Sequence, residues 1–384
     1  MSRITAYTGA AIFDGHTTHH DAALLILSGR VAGIIPLADM GAEYEKIELA
    51  GGLIAPGLVD LQVNGGGGVM LNNDTSVEAI RTICAAHARC GTTALLPTLI
   101  TDTPDMTRRA ITAVRQALAA KIPGIIGLHL EGPHLALSRK GAHCADLIRP
   151  MDENDCRDLE QLAGELPSLM LTVAPESVTF DQIRRLRKAG AVVSIGHSDC
   201  TYSDALGAAD SGATSVTHLF NAMSQLTNRE PGLVGAALDI GTLSAGIIAD
   251  GIHVDAATIS IALKAKQGPE HLFLISDAMA TAGTDLTEFF LNGRRILRQD
   301  NKLTLEDGTL AGANLDLFTA VDFIVQVVGL APEEALRMAS LYPASILGRS
   351  SELGCLESGA KADFIWMQES TKIKAIWQQG RPVT

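Results

Sequence analysis

The chain has 384 residues, 47% of them hydrophobic and 19% charged, which excludes a disordered protein and leaves room for one large barrel with an appendage or for roughly two to three domains. Thirty Lys and Arg against 43 Asp and Glu give a net charge of −13, so nucleic acid and anionic membranes are excluded as partners and any anionic ligand must be held by a few local cations. Six scattered cysteines without C-x-x-C pairs exclude a disulfide scaffold and a thiolate zinc site. The first residues lack a signal-peptide core, and no run of about 18 apolar residues exists, so a cytoplasmic globular protein is expected.

In chain order, residues 1–56 alternate apolar and polar around Gly9, Gly15 and Gly29, which predicts short antiparallel strands. Eight apolar runs then begin near Leu58, Ala94, Ile125, Leu169, Val192, Ser215, Leu243 and Leu272. Helical spacing fills Ser76–Cys90, Pro104–Ala120, Asp152–Ala163, Phe180–Ala189, Ser203–Ser211 and Ala256–Gln267. Near-continuous apolar strands alternating with helices indicate a parallel sheet covered on both faces, and eight units match a (β/α)8 barrel. A doubly wound sheet is the rival, but no GxGxxG follows the first strand. A hairpin-like insert, Phe289–Leu297 with Lys302–Leu305, follows the eighth strand, and helical segments cover Leu315–Val328, Pro332–Ser340 and Tyr342–Leu347. The tail returns to strands. The expected organisation is an α/β barrel over 57–350, with a small β-sandwich built from both chain ends, 1–56 and 351–384.

Unusual polar residues stand where the predicted barrel strands end, the face on which such barrels carry chemistry. Glu131, His197 and His218 come from three strand ends and suit a divalent metal held by two imidazoles and one carboxylate. A single strand histidine is more often a hydrogen-bonded core residue, and spacing alone leaves both readings open. Asp277, at the eighth strand end, suits a general base that later acts as general acid; a partner to a ligating histidine is the alternative. His129 faces the same side as Glu131, one layer deeper, and reads as structural, whereas His134 in a loop reads as solvated. Gly65–Gly68 permit close backbone approach to a ligand, Ser138–His143 adds local positive charge, and Arg229 on a Pro-Gly turn suits either a phosphate or a salt bridge to Glu230.

The segments His129-Leu130-Glu131-Gly132-Pro133, Gly196-His197-Ser198, His218-Leu219-Phe220-Asn221-Ala222-Met223, Arg229-Glu230-Pro231-Gly232 and Asp250-Gly251-Ile252-His253 together resemble the N-acetylglucosamine-6-phosphate deacetylase family of the amidohydrolase superfamily. Ile54–Asp60 and the tail from Leu353 to Phe364 extend the resemblance over nearly the whole chain. It implies Glu131, His197 and His218 as metal ligands, Asp277 as acid and base, and His143 polarising the acetyl carbonyl. Asn221, Ala222, Arg229 and His253 are implied to hold the sugar phosphate, together with Ala142, Asp250, Gly251 and Ile252; Leu310-Ala311-Gly312 would close over the substrate. The resemblance also implies a homodimer in which Arg229 can reach the neighbouring subunit's site. One departure concerns the first strand end. Most amidohydrolases carry His-x-His there, but this chain has Gln62-Val63-Asn64, and an amide is a poor transition-metal ligand. The Gln-x-Asn branch works with one metal, so one divalent cation per subunit is expected, zinc foremost, with iron, cobalt or manganese as alternatives. The implied reaction is hydrolysis of N-acetyl-D-glucosamine 6-phosphate to D-glucosamine 6-phosphate and acetate in amino-sugar catabolism. The galacto epimer and a catalytically inactive scaffold are the rival readings.

Overall fold

The computed structural model describes residues 3–369 and 372–384. Eight apolar segments form the central sheet: β1 (Leu58–Val63), β2 (Thr92–Ile100), β3 (Leu128–Glu131), β4 (Leu169–Val173), β5 (Val192–Ile195), β6 (Ser215–Val216), β7 (Ser244–Ile247) and β8 (Leu272–Leu274). Every residue in them is buried, as parallel strands between two layers require. The strands pair in sequence order, all in parallel. Closure comes just beyond β8, where the Asp277 N–H donates to the Gln62 carbonyl at 3.1 Å and Ala278 bridges Val63 in parallel. The barrel therefore seals at the place where the expected acid/base meets the Gln-x-Asn segment.

Helices α1 (Val77–Ala88), α2 (Pro104–Ala119), α3 (Glu153–Glu165), α4 (Phe180–Ala189), α5 (Tyr202–Asp210), α6 (Gly232–Asp239) and α7 (Ala256–Ala265) follow the first seven strands. Their ends are set locally. Thr179 and Gln182 form a capping box at the start of α4, and Gly190 at φ +106° ends it in the left-handed region, where a side chain is disfavoured. Beyond β8, helix α8 (Leu317–Phe323) passes into a π turn at Ile324–Val328, where the sequence suggests a single regular helix, and α9 (Pro332–Ala339) and α10 (Leu341–Ile346) complete the layer.

The chain ends form two further sheets. One orders Arg30–Pro36, Ala22–Leu27, Thr5–Thr8 and Glu45–Glu48. Thr5–Thr8 runs parallel to Glu45–Glu48, where antiparallel pairing is the sequence expectation. The other mixes both ends: Phe364–Glu369 lies antiparallel to Leu53–Pro56, with Trp366 opposite Ile54. Tyr7, Ile12, Leu24, Phe364 and Trp377 fill the space between the sheets, the Phe364 and Trp377 rings stacked at 4.6 Å. A small β-sandwich thus flanks the barrel. The insert after β8 is a three-stranded antiparallel sheet (Glu288–Leu291, Arg294–Gln299, Lys302–Thr304), whose Leu291 and Ile296 pack with Met70, Ile100 and Met279 over the barrel mouth.

Candidate active site

Glu131 is the last residue of β3, and His197, His218 and Asp277 follow β5, β6 and β8 within a few residues. His197, His218 and Asp277 have φ of +47°, +32° and +50°. Non-glycine residues in the left-handed region are uncommon and carry strain, which concentrates at functional sites. Here the sharp turn at each strand end aims the side chain inward.

All four side chains are buried and they converge. The Nε2 atoms of His197 and His218 each lie 3.2 Å from Glu131 Oε1 and 3.0 Å from one another. His143 Nε2 lies 3.7 Å from the second carboxylate oxygen, Oε2. Burial alone would raise the Glu131 carboxyl, but contacts with His143, His197 and His218 outweigh it and hold the group well below its ordinary range. His218 is raised despite burial, because Glu131 favours its charged form. His218 Nδ1 is buried without a partner among the described residues. Two imidazole nitrogens and a carboxylate oxygen packed at these separations match the borderline donor set of a zinc-like divalent cation. Ligand atoms of Glu131, His143 and His197 also lie within 4.8 Å of one another, so four side chains offer donors to one small volume.

The Gln-x-Asn segment engages the carboxylates. Gln62 Nε2 donates to Glu131 Oε1 and to Asp277 Oδ1, both at 3.1 Å, and Asn64 Nδ2 donates to Asp277 Oδ1 at 2.7 Å. Burial, followed by the nearby charge of Glu131, pushes the Asp277 carboxyl up to about 6. His143 is positioned by Thr101, whose hydroxyl lies 2.7 Å from Nδ1 and whose backbone N–H donates to Nδ1 at 3.3 Å. Nδ1 is therefore an acceptor and the ring proton sits on Nε2, facing the cavity side. Burial, with the charge of His197 next, pushes His143 down to about 4, so the ring is neutral near pH 7. His197 is oriented through Nδ1, 2.8 Å from the Arg139 carbonyl.

These groups face a cavity of about 390 Å³. Asn64, Glu131, Ala142, His143, His197, His218, Asn221, Ala222, His253, Asp277, Leu310 and Gly312 line it, as the sequence reading groups them. Gln62 stands behind the wall, Ala311 is buried behind the loop, and Gly251 and Ile252 lie outside the lining. Asp250 also lies outside, but its carboxylate accepts from the Ile252 and His253 N–H groups at 2.8 Å and lies 2.7 Å from His253 Nδ1, fixing that ring. Arg229 is exposed, outside the cavity, and its side chain makes no hydrogen bond or ion pair among the described residues. Glu230 accepts instead from the Tyr202 and Gly232 backbone N–H groups. His134 is buried rather than solvated, 3.1 Å from the Arg149 carbonyl. His129 is a core residue, its Nε2 2.8 Å from Thr172 Oγ1. Ser138 and Arg139, in the segment the sequence marks for its local positive charge, also line the cavity, whereas sequence reasoning missed Thr309 in the lining and Thr101 behind His143. Beneath the site Asp60 is fully buried, its Oδ1 accepting from the Gln62 and Ser276 N–H groups and its Oδ2 without a hydrogen-bond partner among the described residues.

Comparison with known proteins places this arrangement. The amidohydrolase family model matches residues 53–384. An N-acetylgalactosamine-6-phosphate deacetylase of Shewanella sp. (strain ANA-3) is 39% identical over 368 residues, 95% of this chain and 92% of that protein. The crystal structure of N-acetylglucosamine-6-phosphate deacetylase from Pasteurella multocida superposes with a TM-score of 0.94 at 34% identity, covering 99% of each chain. A Mycobacterium smegmatis N-acetyl-D-glucosamine-6-phosphate deacetylase mutant, solved in complex with N-acetyl-D-glucosamine-6-phosphate, gives 0.89 at 29% identity over 100% of this chain and 99% of that one. This chain belongs to the amidohydrolase family, in the branch of the acetylated amino-sugar 6-phosphate deacetylases.

Proposed function

We propose that the protein hydrolyses the acetamido group of N-acetyl-D-glucosamine 6-phosphate, yielding D-glucosamine 6-phosphate and acetate. The observation that carries this is the meeting of a Glu–His–His donor cluster with the buried carboxyl of Asp277 in one cavity. Glu131, His197 and His218 are the assigned ligands, because both Nε2 atoms crowd the same carboxylate oxygen while His143 Nε2 faces the other. Zinc suits them best, and iron, cobalt or manganese also fit such donors. Once bound, the cation lowers the pKa of water and polarises the amide carbonyl.

The chain's own groups supply the rest. Asp277 takes the proton of the attacking water and returns it to the amine nitrogen as the C–N bond breaks. Gln62 and Asn64 hold its Oδ1, which leaves Oδ2 for that proton. The His143 Nε2–H donates to the carbonyl oxygen as negative charge develops there. His253 holds the 6-phosphate, and that remote anchor orients the amide for attack. Arg229 completes the phosphate site from the second subunit of a homodimer; its exposure, lack of partners and position outside its own cavity support this. Six free cysteines support a cytoplasmic setting.

The Shewanella relative favours a second reading, the galacto epimer as substrate. Steady-state kinetics on both 6-phosphates with metal-replete enzyme decide it. A higher kcat/KM for the gluco compound supports the proposal, the reverse assigns the galacto compound, and no acetate from either overturns the deacetylase reading.

A further inference from the structure

A second cavity, larger than the catalytic one, lies elsewhere on the molecule. A cleft of about 950 Å³ lies between the β-sandwich and the opposite end of the barrel, against the end of α1 and the segment leading to β3. It shares no lining residue with the catalytic cavity. Among the described residues its walls carry Arg3, Arg30, Arg81, Arg89, Lys361 and Arg381, and no Asp or Glu side chain. On a chain of net charge −13 this is a marked local reversal of sign.

The cations differ in how far they are already satisfied. Arg81 is paired with Glu78 at 3.2 Å, Arg30 donates to the Gly359 carbonyl at 2.6 Å, and Arg3 donates to the Glu43 carbonyl at 3.2 Å. The side chains of Arg89, Lys361 and Arg381 make no hydrogen bond or ion pair among the described residues. Lys361 is half-buried, and burial, with the charges of Arg349 and Arg30, lowers its ammonium below the ordinary value although Asp363 and Glu352 oppose the shift. A desolvated cation without a hydrogen-bonded counter-charge is costly, and an anion in the cleft would relieve that cost. Ile26, Ile122 and Val383 add apolar wall, which an inorganic ion would not use.

We propose that this cleft binds a small organic molecule carrying two phosphate groups, held by Arg89, Lys361 and Arg381. One phosphate brings about 1.5–2 negative charges near neutral pH, fewer than the six cations of the cleft can take even with Arg3, Arg30 and Arg81 partly satisfied, whereas two phosphates bring about twice that charge. The volume falls in the range of small-molecule sites. Guanidinium groups provide bidentate contacts to phosphate oxygens.

The test is calorimetric titration of the metal-replete enzyme with fructose 1,6-bisphosphate and with ADP, at low salt and again at raised salt. The Arg89→Ala/Arg381→Ala and Arg229→Ala/His253→Ala double variants are titrated alongside. Binding by at least one probe is expected, weakened by salt, weakened about tenfold or more in the first variant and retained in the second. Arg89 and Arg381 are exposed, so unchanged deacetylase turnover without probe would show that the first variant is folded. The proposal is overturned if neither probe binds at millimolar concentration or if the first variant binds as the wild type does. It is also overturned if binding vanishes in the second variant, which would place both probes in the catalytic cavity.

Discussion

Asp277 has two amide donors on one oxygen and a buried carboxylate, Glu131, as its neighbour. Asp277→Asn keeps its shape and removes the proton acceptor. Turnover should fall by roughly 10²–10⁴-fold with the metal retained, checked by kcat and elemental analysis together; loss of the metal instead would make Asp277 a ligand. Asp60 gives a stability prediction. Burial pushes it up to about 7 against hydrogen bonds from Ser276 and Gln62 that lower it. Between an unfolded-state pKa of about 4 and that value the folded chain binds a proton the unfolded chain lacks, so stability falls as pH rises through this window. Asp60→Asn keeps the Oδ1 acceptor and removes the titration. Its Tm relative to wild type should therefore rise from pH 5 to pH 8, and a pH-independent difference would refute this. Glu131, His197, His218 and Asp277 were legible because ionisable residues at barrel strand ends are costly unless used. The part Arg139 plays was not, since it acts on His197 through a backbone carbonyl, a group that every residue has; nor was that of Thr101, because no spacing links a threonine after β2 to a histidine in a later loop.

At the scale of elements, all eight barrel strands were legible, because burial on both faces demands apolar runs that turns interrupt. β3 starts at Leu128, not Ile125, since only an isolated bridge joins Ile125 to Leu95. Helix α6 was missed for the opposite reason. Gly232-Leu-Val-Gly-Ala-Ala-Leu-Asp is buried at every position but the last, so it has no polar face from which to read a period. Helix α4 shows the legible kind, with Thr179 and Gln182 at its start, Gly190 at its end and Ile183 and Leu186 on its buried side. Thr179→Ala removes the side-chain cap of the Gln182 N–H and should cost about 1 kcal/mol. Denaturant unfolding should show the loss with turnover unchanged; an effect below about 0.3 kcal/mol would mean that tertiary packing alone fixes this helix end.

For the whole molecule, the proposed dimer is what would complete the phosphate site. If Arg229 reaches a partner's substrate, Arg229→Ala should lower kcat/KM by roughly 10–200-fold, the equivalent of one charge-assisted hydrogen bond at about 1.5–3 kcal/mol. The loss should be large for the phosphorylated sugar and small for free N-acetylglucosamine. Mixing Arg229→Ala with Asp277→Asn subunits then separates the two geometries. Across the interface, a mixed dimer concentrates both defects in one site and leaves the other intact, so activity returns. Within one chain, every site keeps a defect and no activity returns.

The strand Phe364–Glu369 also bears on how the molecule is made. Its antiparallel partner, Leu53–Pro56, leaves the ribosome several hundred positions earlier. At roughly 5–20 residues per second the delay is on the order of tens of seconds. Throughout that time the early strand has an open hydrogen-bonding edge, although the barrel that follows it can already begin to close. Unpaired edges of this kind recruit other chains. Emergence of Phe364–Glu369, rather than barrel closure, is thus the event that seals the sandwich, and a chain stalled or terminated before it would carry a nearly whole barrel with an adhesive flank.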